Sequence, residues 1–144
     1  MIACKTRVRY CETDKMGVVY HGNYFNWFEM GRTEYCRALG KTYLEWEREG
    51  VLLPVVEAHC RHKHSVFYDD EITIWTWIEN AGSASVTFGN RIERDCEPGK
   101  IVAEGWTKHA FVDKSGKIIR GKNELAEIME RQMNKIGDEE RNGE

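Results

Sequence analysis

The sequence predicts an α+β fold in which one antiparallel sheet curls around a central long helix. Three observations lead there. From Asn23 onward, Tyr24, Phe25, Trp27, Phe28, Met30, Tyr35, Cys36 and Leu39 wrap most of the way round a helix, and a helix that apolar must be covered on most sides. The material left to cover it is a set of stretches with strand-like alternation, bounded by turn residues. The connections between those stretches are too short for parallel crossovers, which need a dozen or more residues, so the strands pair as hairpins.

Residues 2–10 open the chain as a strand and lead into a loop. The long helix follows over 24–39, with Asn23 as its N-cap and Gly40 as its stop. A short helical turn is expected over 42–48. Four strands then cover 53–64, 72–78, 84–94 and 101–112, punctuated by Asp69-Asp70, Gly82-Ser83, Glu97-Pro98-Gly99 and Asp113-Lys114-Ser115-Gly116. A second helix is expected over 123–135, where Leu125, Ile128, Met129 and Met133 form one stripe. The polar tail 137–144 is expected to fray, which leaves 1–136 as a single domain.

At 144 residues the chain fits one core, and a domain of this size buries roughly two-thirds of its unfolded surface. Lys and Arg total 21 against 24 Asp and Glu, a formal charge of −3, with no long basic run. That excludes nucleic acid as the expected partner. Five cysteines are scattered without CxxC spacing, and the N-terminus shows no charged-then-apolar signal segment. Reduced thiols in a cytoplasmic compartment are the expectation. No apolar run approaches the ~20 residues that cross a bilayer, so no membrane span is expected.

The chemistry concentrates in the loop before the long helix, Tyr10-Cys11-Glu12-Thr13-Asp14-Lys15-Met16-Gly17-Val18-Val19-Tyr20-His21-Gly22-Asn23-Tyr24. It places a carboxylate, Asp14, and an imidazole, His21, across a glycine and between two rigid elements, where active-site groups are commonly held. Thr13-Asp14-Lys15-Met16-Gly17 would also make a sound turn without any catalytic role. Gly17 suits a left-handed conformation or a close approach of backbone to ligand. Tyr20 and Tyr24 flank His21 and are candidates for the acyl pocket, though such tyrosines often serve only the core.

This loop, together with Trp27-Phe28-Glu29-Met30-Gly31-Arg32-Thr33-Glu34-Tyr35, resembles the 4-hydroxybenzoyl-CoA thioesterase family of hotdog-fold acyl-CoA thioesterases, and most of all the branch associated with the Tol-Pal system. Tyr68-Asp69-Asp70 and Thr107-Lys108-His109-Ala110-Phe111-Val112-Asp113 are similar to the family's pattern downstream, so the likeness runs from about residue 5 to about residue 130. It implies a hotdog fold and hydrolysis of an acyl-CoA to free acid and coenzyme A without cofactor or metal. It also implies that Asp14 is the catalytic carboxylate, as nucleophile or as general base towards water. His21 would stabilise the oxyanion through its backbone amide and orient water or thioester through its ring. By rough alignment with the family, Arg120 and Lys122 are the candidates for the coenzyme A phosphates; a solvated charged loop is the bland alternative. The chain departs from the family at Ser65-Val66, where relatives commonly carry Pro-Ala. At Asn80-Ala81-Gly82-Ser83-Ala84 the arginine-rich hairpin of some relatives is missing.

Cys60, His62 and His64 alternate along a strand and invite a metal reading. Same-face residues of an extended strand lie nearly 7 Å apart, too splayed to converge on one ion. Ile72, Ile74 and Ile78 alternate with Trp75 and Trp77, so both sheet faces need cover. A homo-oligomer follows, dimer or tetramer; the resemblance implies paired protomers with active sites at their boundary. Two other readings of the same residues are a thioesterase acting on acyl carrier protein, and a non-catalytic hotdog module that only binds acyl thioesters.

Overall fold

The computed structural model describes residues 1–121 and 123–142. Strand β1 (Ile2–Arg7) leads through a 3-10 turn (Tyr10–Glu12) to the long helix α1 (Asn23–Ala38) and the short helix α2 (Tyr43–Arg48). Strands β2 (Val55–His62), β3 (Glu71–Ala81), β4 (Ser85–Arg94) and β5 (Ile101–Ala110) follow, then helix α3 (Glu124–Asn142). The strands form one five-stranded sheet in the order β1-β3-β4-β5-β2, every neighbouring pair antiparallel. This is the hotdog arrangement, with α1 lying in the curl of the sheet.

Helix α1 buries Tyr24, Trp27, Phe28, Gly31, Tyr35 and Cys36. Gly31 sets how close it comes: a Cβ there would lie 2.3 Å from Thr76 Oγ1 on β3. Towards its N-terminus α1 packs with Val8, Val19, Val66, Ile72, Ile74 and Ile92; towards its C-terminus it packs with Phe88, Phe111, Leu125 and Met129. A buried polar layer lies among these apolar groups, where Asn90 Nδ2 donates to Thr76 Oγ1 at 2.9 Å.

Several boundaries differ from expectation for identifiable reasons. Strand β1 stops at Arg7, because the backbone N–H groups of Glu12 and Thr13 turn back to the carbonyls of Arg9 and Tyr10 at 3.0 and 3.1 Å. Gly22, not Asn23, is the N-cap of α1; Asn23 is helical and its side-chain amide reaches back to the Glu12 carbonyl at 2.8 Å. The helix is not covered on most sides within one chain, since Phe25 and Met30 remain 38% and 39% exposed. Strand β3 runs on to Ala81 through a bulge between Ile78 and Asn80. Helix α2 starts as expected from Thr42, whose hydroxyl accepts from the Glu45 amide at 3.2 Å in a capping box. Helix α3 continues past the expected end at Lys135 to Asn142. One glycine costs a helix only ~1 kcal/mol, and the residues after Gly137 are charged and helix-compatible.

Candidate active site

The loop between β1 and α1 is folded by its own backbone. Thr13 bridges Val19, Val18 bridges Phe67, and the Asp14 amide donates to the Val18 carbonyl at 2.9 Å. Gly17 closes the turn at φ +80, with its amide on the Asp14 carbonyl at 3.0 Å. A Cβ at Gly17 would meet nothing within 4 Å, so its left-handed backbone, not close packing, calls for glycine.

Glu12 ties this loop to the helix. It is only 6% exposed. Its Oε2 accepts from the Trp27 indole N–H on α1 at 2.9 Å, and its Oε1 accepts from the Arg9 amide at 2.8 Å. Its carbonyl receives the Tyr20 amide at 2.9 Å and the Asn23 side chain at 2.8 Å. One buried residue therefore fixes both ends of the segment that carries Asp14 and His21. Sequence reasoning passed over Glu12, although a carboxylate three residues after Arg9 is the spacing at which a side chain reaches back to a turn's first amide.

Asp14, Val18, Val19, His21, Tyr24, His62, Lys63, His64 and Ser65 line one cavity of about 300 Å³. Asp14 Oδ1 accepts from the Met16 amide at 2.8 Å, which orients the carboxylate. His21 is exposed, its ring 4.4 Å from the Tyr20 ring and 6.4 Å from the His62 ring. Tyr24 is 3% exposed and lies edge-on to His62 at 4.6 Å. Burial, and then the Cys60 thiol, push its hydroxyl pKa up to about 12, so it stays a neutral donor. Among the described residues, the amides of His21 and Gly22 donate to no protein acceptor. They lie at the start of α1, where the helix dipole favours negative charge.

The structure brings together Asp14, His21 and Tyr24. It adds His62, which the sequence reading weighed only as a metal ligand. Its signal was present: on β2 the alternation turns Cys60 and His62 to the α1 side, opposite Gly105 and Ala103 of β5. Burial, and then the nearby His21, hold the His62 pKa below the ordinary histidine value. His64 lies beyond the end of β2, Cys60 Sγ stands 4.0 Å from His62 Nδ1, and burial pushes the Cys60 thiol up to about 11. Tyr20 is 51% exposed and lies tilted beside His21 without lining this cavity. Arg120 lines a separate cavity with Glu49, Val51 and Asn123. Lys122 lies outside the described residues.

The downstream motifs serve the scaffold. Asp70 Oδ2 takes the Phe67 amide at 2.9 Å and pairs with Arg94 Nε at 2.9 Å. His109 is fully buried, with Nδ1 2.9 Å from the Leu53 carbonyl and Nε2 2.9 Å from Thr107 Oγ1.

Asp14, His21, Tyr24 and His62 thus share one cavity at the start of the helix that the antiparallel sheet wraps, and that sheet-and-helix arrangement is the hotdog fold of thioester hydrolases. The thioesterase superfamily model matches residues 16–98. "Putative acyl-CoA thioesterase YneP" of Bacillus subtilis is 38% identical over 107 residues, 74% of this chain and 76% of that protein. "Acyl-CoA thioesterase YbgC" of Haemophilus influenzae is 34% identical over 111 residues, 74% of this chain and 77% of its own length. The crystal structure of DHNA-CoA thioesterase from Staphylococcus aureus superposes with a TM-score of 0.85 at 29% identity, covering 99% of this chain and 94% of that one. The chain belongs to the thioesterase superfamily.

Proposed function

We propose that this protein hydrolyses an acyl-CoA thioester to a free acid and coenzyme A, and that within its superfamily it falls in the branch associated with the Tol-Pal system. The observation that carries the chemistry is the shared cavity of Asp14, His21 and Tyr24 at the unpaired amides of the α1 start. A thioester carbonyl placed over those amides has its developing oxyanion met by N–H donors and the helix dipole. Asp14 then either attacks the carbonyl carbon, giving a mixed anhydride that water cleaves, or takes a proton from a water that attacks. The His21 ring and the Tyr24 hydroxyl orient the thioester or the water.

Coenzyme A as the carrier is supported by the names of YneP and YbgC and by the balance of charge, which offers no basic docking patch for an acyl carrier protein. Asp14, His21 and His62 are exposed in one chain, which supports an active site covered by a second protomer in a dimer or tetramer. Arg120 and Lys122 are the proposed phosphate contacts; since Arg120 lines a different cavity from Asp14, we assign them to the site across that boundary. Residues 1–136 are taken as the catalytic unit, and the free, scattered cysteines fit a cytoplasmic setting.

A panel of aliphatic and aromatic acyl-CoA substrates, followed by release of the coenzyme A thiol, tests the reading. At least one member should turn over catalytically. Binding of the whole panel without thiol release would make the protein a non-catalytic acyl-thioester module instead.

A further inference from the structure

His62 is the last residue of β2, turned to the α1 side of the sheet opposite Ala103 of β5, and the reaction proposed above gives it no task. It lines the cavity that also holds Asp14, His21 and Tyr24. Its surroundings fix how the ring lies. The rings of Tyr24 and His62 meet edge to face, 4.6 Å apart at 83°, and Tyr24 in turn lies 5.0 Å from the Trp27 ring. The Trp27 indole is tied to buried Glu12 at 2.9 Å. His62 therefore leans on a wall anchored in the core while its own side chain stays exposed.

The two ring nitrogens keep different company. Nδ1 lies 4.0 Å from Cys60 Sγ, a thiol that burial keeps neutral by pushing its pKa up to about 11. Among the described residues Nε2 meets no protein partner. With the Nδ1 proton turned to sulfur, a weak acceptor, Nε2 carries the free lone pair. The titratable groups around the ring are Asp14 and His21 from the β1–α1 loop, Tyr24 from α1, Cys60 from β2, and Lys63 and His64 just after it; β5 presents Ala103. The Lys63 charge is paired with Glu104 at 2.8 Å. Burial, and then His21, hold His62 below the ordinary histidine pKa, so its ring is neutral and ready to accept a proton at neutral pH.

We propose that His62 is a further catalytic residue, the base that takes the proton of the hydrolytic water, a role that rests on the thioesterase reading above. With that task at His62, Asp14 serves as the nucleophile. An Asp14 oxygen bonds to the thioester carbonyl carbon, the C–S bond breaks, and coenzyme A leaves as the thiolate. Water then attacks the acyl carbon of the mixed anhydride. Its oxygen bonds to that carbon, one of its protons passes to Nε2 of His62, and the bond from the carbon to the Asp14 oxygen breaks to return the carboxylate. The acid departs with the water's second proton, and the His62 imidazolium gives the first to the thiolate. One thioester and one water become one acid and one thiol, with Asp14 and His62 restored.

The test is rapid-mixing thiol release by wild type, His62→Ala and His62→Phe, on whichever of acetyl-CoA, octanoyl-CoA and benzoyl-CoA wild type hydrolyses fastest. His62 is exposed and the phenylalanine keeps a ring against Tyr24, so the fold tolerates both variants, and circular dichroism verifies that. Both should lose at least ~100-fold in kcat. Both should still release about one thiol per active site in a fast first phase, because forming the anhydride does not need His62. Wild-type kcat should fall with acid through a pKa below the ordinary histidine value, and that acid limb should be absent from both variants. Near-wild-type turnover by His62→Phe would reduce the residue to packing. Slow variants without the fast first phase, or with the acid limb unchanged, would equally overturn the proposal. A wild type that releases no thiol from any of the three would end the thioesterase reading itself and this inference with it, whereas an active wild type beside active variants ends only the role of His62.

Discussion

Under the proposed mechanism Asp14 does two things with one carboxylate. Its Oδ1 closes the turn on the Met16 amide at 2.8 Å, so the bland turn reading and the catalytic reading describe the same geometry, and the local sequence alone has no means to separate them. What separates them is the company: His21, Tyr24 and His62 around one cavity. In the proposed mechanism His21 acts at two points, through an amide that survives substitution and through a ring that does not. His21→Ala should therefore reduce turnover less than a change at Asp14, and an equal loss in steady-state assays would move the essential role to the imidazole. The same variant should raise the His62 pKa, because a cation that disfavours protonation of His62 is gone. The change should be modest, since burial is the larger cause of its depression. An unmoved or lowered His62 titration by NMR would show that the two rings do not interact.

At the scale of elements, the 3-10 turn matters more than its three residues suggest. Glu12 joins β1, the catalytic loop and α1 through the Arg9 amide, the Trp27 indole and the Tyr20 amide. Glu12→Ala strands a buried indole N–H and should cost roughly 1–3 kcal/mol in urea unfolding. It should also lower kcat more than it raises KM, by loosening where Asp14 sits against α1. Glu12→Gln keeps an acceptor for Trp27 and should recover most of the stability; equal losses in the two variants would assign the effect to charge rather than to the hydrogen bonds. The strands and α1 were legible because alternation and apolar wrapping are local signals. Glu12 was not, because its meaning depends on Trp27 across space. Helix α3 outruns the expected end at Lys135, because a single glycine, Gly137, lowers helix stability by too little to stop it.

For the whole molecule, the wrap of one antiparallel sheet around a helix followed from one apolar helix and strands too closely spaced for crossovers, and its hotdog form from the family resemblance, whereas the proposed completion of the active site by a second chain lies beyond what one chain's pattern carries. The interior adds a pH dependence of its own. Burial lowers the His109 pKa to about 4, against 6.5 in an unfolded chain, with the Leu53 carbonyl opposing the fall. The unfolded chain takes up this proton first. Stability is therefore fully present above pH 6.5 and declines as pH falls through 6.5 towards 4, by about 3 kcal/mol from this residue. Urea unfolding at stepped pH should show the decline, and His109→Gln should flatten it; an unchanged slope in that variant would assign the acid sensitivity elsewhere.

The measurement closest to the central claim is thiol release from acyl-CoA by Asp14→Asn beside wild type, on whichever panel member wild type hydrolyses fastest. The asparagine keeps an Oδ1 acceptor for the Met16 amide, so the loop should fold as before, with an unchanged circular dichroism spectrum and unfolding midpoint. Turnover should fall at least ~100-fold, as expected when a positioned nucleophile or base is lost. A folded Asp14→Asn protein that hydrolyses acyl-CoA at near-wild-type rate would contradict the assignment of this carboxylate as the catalytic group.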